Sequence, residues 1–243
     1  MPAPERARAD SLDEASARYK TYATGQIQQS LAGAISLRNN IAVHDLLGAQ
    51  NAWLSARGGW ERSEVFADEF FPKLAAAIDA WPNATTGFHA IEAKIFGAHQ
   101  VDVAPLADAL VDNLKQVDEG LRSTPLSPQG LLNGSVKLAY EVGDNKGNGG
   151  ESQFSGTSLD DVRYNIVGIK TVYINVFQPT LEQKNAKAAT VVEADIEALQ
   201  KLAKASSIKE IDEAKLRALS EELAVTLRTA APDLGLEKPR LDD

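Results

Sequence analysis

The sequence predicts an all-α fold, arranged as two antiparallel four-helix bundles packed as one elongated unit. Three observations predict it. Apolar residues recur at helical spacing along nearly the whole chain. Capping residues, glycine pairs and prolines divide that pattern into roughly four helices on each side of Pro125–Pro128. No segment alternates as a half-buried strand does. The expected units are residues 1–124 and 125–243.

The first helix starts at Ser11-Leu12-Asp13-Glu14, whose form is a capping box that satisfies free amides at a helix start. Leu12, Ala15, Tyr19, Tyr22, Ile27 and Leu31 then recur at helical spacing. A segment from about Ile41 to Arg57 continues the pattern, and Gly58-Gly59 is expected to break it. A third helix is expected from near Trp60 to Asp79. Pro72 inside it demands a kink or restart, because proline lacks the amide donor and clashes one turn back. Trp81–Thr86 reads as a turn feeding the helix that carries His89. Pro105 opens the next helix at its first turn, with Leu106, Leu110, Leu114, Val117 and Leu121 on one face.

Beyond the break at Ser123–Pro128, a helix is expected from Gln129 to Val142. Gly143–Gly150 is the one long insert, of a kind more often functional or mobile than accidental. Ser158-Leu159-Asp160-Asp161 restarts a helix that runs to Pro179. Val172–Phe177 has strand-like composition, but helical neighbours assign it to that helix. Two helices close the chain, Leu181–Lys204 and Ser207–Ala230, the second capped by Ser207-Ile208-Lys209-Glu210.

Composition narrows the function. The net charge of −9 and pI near 5.0 argue against nucleic acid and suit cation binding. The absence of cysteine excludes disulfides, thiolate metal sites and cysteine nucleophiles. No apolar run approaches the roughly 20 residues that span a bilayer. Met1-Pro2-Ala3-Pro4-Glu5 has neither the basic start nor the apolar centre of a signal peptide, so the chain reads as cytosolic or as a mature exported fragment.

Gly87-Phe88-His89-Ala90-Ile91-Glu92 is the most informative stretch. His89 and Glu92, three apart on a helix, share one face and offer a nitrogen and an oxygen to one ion. The spacing also fits a hydrogen-bonded core histidine beside a solvated glutamate. Glu61 and Glu64 repeat the three-residue spacing, and two neighbouring helices can together supply the donors that one cannot. They fit equally well as surface helix charges. Glu151, Asp160 and Asp161 read as solvated, helix-capping acids, with a second cation site or a cleft mouth as the alternative. Trp53, Trp60 and Trp81 read as core or groove-lining residues.

Gly-Phe-His-Ala-Ile-Glu matches the GxHxxE signature of the imelysin-like family, which includes periplasmic iron-uptake proteins of the EfeO/EfeM type. Ala56-Arg57 through Trp60-Glu61 and Glu64 resembles the family's Ala-Arg-x-x-Tyr-Glu-x-x-Glu segment, with tryptophan for tyrosine. Asn133-Gly134, Glu141-Val142, Gly150-Glu151, Ser158–Asp161 and Asn165 resemble its later segment, so the ordered match spans about 40 to 180. With no preceding β domain, cysteine or methionine-rich copper site, the sequence looks like the short type, the helical domain alone.

The resemblance implies a periplasmic protein of two four-helix bundles that holds a divalent or trivalent ion, iron first and zinc or copper as alternatives, for a membrane permease. His89 and Glu92 carry over directly as ligands, Glu61 and Glu64 as further ligands, and Asp108 and Asp112 only as candidates on the following helix. A family member that binds alginate keeps an acidic polysaccharide as an alternative ligand. Metallopeptidase activity is the weaker reading, because a zincin needs His-Glu-x-x-His and His99 lies past Gly97, off the helix.

Overall fold

Helix α1 (Leu12–Ala42) begins where the sequence places its capping box: Ser11 Oγ accepts from Glu14 N at 3.3 Å and Glu14 accepts from Ser11 N at 2.9 Å. The structure is a computed structural model and describes residues 11–146 and 150–240. The first ten residues, which include Met1–Glu5, residues 147–149 of the glycine-rich insert and residues 241–243 of the charged tail lie outside the described residues. The described part is all helix, turn and loop, with no strand.

α2 (Leu46–Glu61), capped by Asp45, runs straight through Gly58-Gly59 instead of ending there. The reason is packing. A Cβ on Gly59 would stand 2.7 Å from the Gln26 carbonyl oxygen, so the missing side chain lets α1 and α2 approach closely. Pro72 produces a restart: α3 (Glu64–Phe70) ends and α4 (Pro72–Ile78) begins with the proline in its first turn, where no amide partner is lost.

α5 (Gly87–Glu92) passes into a wide π-helical turn, Ala93–Gly97. α6 (Ala104–Ser123) buries Leu110, Leu114, Val117 and Leu121 as the period predicts. Burying each such side chain stabilises the fold by about 1.5–3 kcal/mol.

α7 (Pro128–Glu141), capped by Ser127, ends in a second π-helical turn, Val142–Lys146, so the start of the expected insert continues the helix. α8 (Ser158–Val172), the turn Tyr173–Phe177 and α9 (Gln178–Leu202) follow one another without a break, which settles Val172–Phe177 as helical. Inside α9 the backbone leaves helical geometry at Asn185. α10 (Glu213–Ala230) starts later than expected, capped by Asp212. Ser207-Ile208-Lys209-Glu210 forms a short 3-10 turn instead, because the Glu210 carboxylate is taken by Ser206 N and Oγ.

α1 packs against α2 and α6; α7 packs against α3, α8 and α10; α2 also reaches α8. Side chains from both sides of residue 124 enter one continuous cluster of buried apolar residues. A cluster of buried polar groups lies where α2, the end of α4, α5 and the start of α8 come together.

Candidate metal centre

Each side chain of the centre is placed by a specific local feature. Arg57 and Glu61 sit one turn apart near the end of α2, and Glu64 is the first residue of α3. Asp79 terminates α4. Gly87 opens α5 with φ +71°, and a Cβ there would collide with the Ile78 carbonyl, so glycine is what allows α5 to start against the end of α4. His89 and Glu92 then occupy one face of α5. Glu151, Ser152 and Ser155 come from the turn before α8, and Asp161 from the first turn of α8.

His89 Nε2 lies 3.1 Å from Asp79 Oδ1 and 3.4 Å from Glu151 Oε1. Ligand atoms of Asp79, His89 and Glu151 all lie within 4.8 Å of one another, as do those of Glu61, Glu64 and Asp79. The two groups share Asp79, whose other oxygen accepts from Trp60 Nε1 at 2.9 Å. Glu92 has a different place. Its Oε2 is 3.3 Å from His89 Nδ1, and its Oε1 accepts from Ser155 N at 2.8 Å and Ser155 Oγ at 2.7 Å. A carboxylate on one imidazole nitrogen fixes the ring and directs the other nitrogen to the ligand position.

Arg57 lies buried among the acids. Its Nη2 is 2.6 Å from Glu61, 3.3 Å from Glu151 and 3.5 Å from Asp161, and its Nη1 bonds Asp79. Asn165 Nδ2 bridges Glu61 Oε2 at 2.9 Å and Glu64 Oε2 at 2.6 Å. Ser152 Oγ donates to Asp161. Trp81 rests on the outer side of the His89 ring, with centroids 5.3 Å apart.

Burial and the Arg57 charge both disfavour an imidazolium at 89. Hydrogen bonds to Asp79, Glu151 and Glu92 outweigh them and raise the His89 pKa to about 11. Burial likewise opposes the Arg57 charge, but Asp79, Glu61, Asp161 and Glu151 raise its pKa well above the ordinary arginine value. The centre opens through a cleft of about 270 Å³ lined by Glu64, Asp68, Asp79, Glu141 and Glu151, with Lys137 and Trp81 at its sides. One nitrogen beside several carboxylate oxygens is a donor set for a hard or borderline cation.

The structure sets His89 against Glu92, and Glu61 beside Glu64, in two groups linked through Asp79; Glu92 joins neither candidate ion position, and Asp108 is elsewhere. Its side chain on α6 is 61% exposed and 4.0 Å from Arg38, and Asp112 is exposed beside Lys115. The solvated reading of Glu151 and Asp161 is corrected: they are 5% and 1% exposed and both meet Arg57. Only Asp160 faces outward, paired with Arg163 at 2.8 Å. Sequence reasoning passed over Asp79, gave Arg57 and Asn165 no role, and put Glu151 at a cation site or cleft mouth only as the alternative to a solvated acid. The last three stood inside the segments matched to the imelysin-like pattern, which was the available signal. Trp53 and Trp60 are core residues, and Trp81 lines the cleft.

Fold and site together define an all-α protein with a buried imidazole–carboxylate centre. The chain belongs to the Imelysin family, whose model matches residues 15–85 and 72–233. It is similar to an Efem/EfeO family lipoprotein of Staphylococcus haemolyticus (strain JCSC1435), 29% identical over 206 residues that span 79% of this chain and 70% of that protein. It is also similar to the iron uptake system component EfeM of Pseudomonas syringae pv. syringae (strain B728a), 27% identical over 239 residues, 90% of this chain and 83% of that one. A crystal structure named for an iron-regulated protein A precursor from Parabacteroides distasonis ATCC 8503 superposes with a TM-score of 0.74 over 96% of this chain and 98% of that chain. At 15% identity that likeness shows the shared fold.

Proposed function

We propose that this protein is a periplasmic, metal-binding component of an iron-uptake system, carrying the ion as cargo for a membrane permease. The ion is held by His89 Nε2, Asp79 and Glu151, with Glu61 and Glu64 beside them and Glu92 fixing the imidazole. One observation carries the reading: three ligand atoms from three separate elements converge within 4.8 Å at the base of an acidic cleft. Iron is favoured by the oxygen-rich donor set and by the name of the Pseudomonas syringae relative. The lipoprotein name of the staphylococcal relative favours an extracytoplasmic site of action, and no described helix is long and apolar enough to cross a membrane.

Titration with ferric citrate, and with ferrous ion under anaerobic conditions, tests the proposal. The wild type should bind one ion that His89→Ala and Asp79→Asn hold far more weakly. Equal binding by all three proteins overturns it.

The other two readings have less support. An anionic polysaccharide would be repelled by five acids in the cleft. A larger groove of about 1050 Å³ between α8 and α9 carries Arg163, Lys201 and Lys204, but no aromatic side chain lines it for a sugar to stack on. A zincin needs a second histidine at the metal, and His44 and His99 are exposed with the backbone at φ 55°. Binding, not catalysis, is the reading the centre favours.

A further inference from the structure

The proposed ligands already hold a cation, the guanidinium of Arg57. Its side chain is 2% exposed and lies 5.5 Å from the centroid of the Phe88 ring, so it cannot swing into water without leaving the core. It contacts Asp79 and Glu151, the two groups that converge with His89, and also Glu61 and Asp161, which meet the same Nη2 as Glu151. An ion seated between His89, Asp79 and Glu151 competes with Arg57 for those two carboxylates.

We propose that Arg57 is a built-in counter-cation and positioning residue: it keeps the carboxylates gathered in the metal-free protein, then yields Asp79 and Glu151 to the arriving ion while retaining Glu61 and Asp161. This rests on reading the cluster as a metal centre. Carboxylates crowded into a buried volume otherwise take up protons or splay apart. Arginine meets the need because it stays charged at every physiological pH and spreads five donors over a rigid fork, so two partners can be released while two are kept. Lysine, a single point charge on a flexible stem, cannot divide its contacts in that way.

The test compares thermal unfolding of the wild type, Arg57→Gln and Arg57→Lys, each with and without ferric citrate. In Arg57→Gln the metal-free form, which loses all four Arg57 contacts, should fall further in Tm than the ferric form, which loses two, so that the metal-induced shift in Tm is at least doubled. Arg57→Lys should fall between. An arginine needed only for packing would lower both forms equally, and an unchanged shift overturns the inference. A wild type that neither binds ferric ion nor shifts overturns the metal reading itself, a separate outcome. Should Arg57→Gln fail to fold, nitrogen-15 spectra of the wild-type arginine side chains with gallium(III) citrate decide the matter. Altered Arg57 Nη signals on gallium binding support the exchange of partners, and unaltered signals refute it.

Discussion

The Glu92 carboxylate meets Nδ1 of His89 at 3.3 Å, which turns the other imidazole nitrogen toward Asp79 and Glu151. The two residues of the HxxE pattern thus stand in series, one supporting the other, and the oxygens nearest Nε2 come from residues ten positions before the histidine and sixty-two after it. Glu92 is in turn held by Ser155 through both its amide and its hydroxyl.

That order of roles ranks substitutions. Glu92→Gln keeps the side-chain volume and the Ser155 hydroxyl contact but weakens the hold on the ring, and should cost about 10–100-fold in cation affinity. Asp79→Asn and Glu151→Gln remove a proposed ligand oxygen and should each cost more. Equilibrium dialysis with the three folded variants checks the order, and a loss at Glu92 exceeding that at Asp79 would contradict it.

The pH response follows from His89. Its pKa is raised from an ordinary 6.5 to about 11 in the folded protein, so the native state holds a proton that the unfolded chain has released over that interval. The stabilisation is complete below pH 6.5 and is lost as pH climbs toward 11. The metal-free protein should therefore lose Tm from pH 7 to 10, with a flatter profile in His89→Ala. A cation must displace that proton, so its affinity should rise with pH over the same range and binding should release protons that a weakly buffered titration records.

Gly87→Ala should destabilise the protein by about 1–3 kcal/mol from backbone strain alone, since φ is +71° and the new methyl meets the Ile78 carbonyl. Urea unfolding measures this. The same change displaces the start of α5 and with it His89, so cation affinity should fall in the folded fraction as well.

Asp108→Asn and Asp112→Asn serve as controls. Both side chains are solvent-exposed, and each substitution should leave stability within about 0.5 kcal/mol and cation affinity unchanged.

Much of the helical architecture is legible along the chain, because it depends on interactions spanning a turn or two. The capping box at Ser11, the apolar stripe of α6 and the restart at Pro72 are local rules, and each appears in the structure as read. The failures share a cause. Gly58-Gly59 reads as a stop only if no partner is considered; α1, pressed against Gly59, makes those glycines the condition of contact. Ser207 loses its role as a cap because Glu210 is taken by Ser206 while Asp212 caps α10.

By itself the sequence determined the helical class and the positions of most helix starts, and it singled out His89. The spacing also placed Glu92 beside Nδ1, but tertiary structure alone decided which acids face Nε2. Asp79, Glu151, Asp161 and Arg57 are far apart in sequence and carry no periodic mark, and Asp108, on a good helical face, is turned to solvent. Helix periodicity reports which face of one segment is buried; the identity of the facing group depends on how segments cross, and that is set by long-range packing such as the Gly59 and Gly87 contacts.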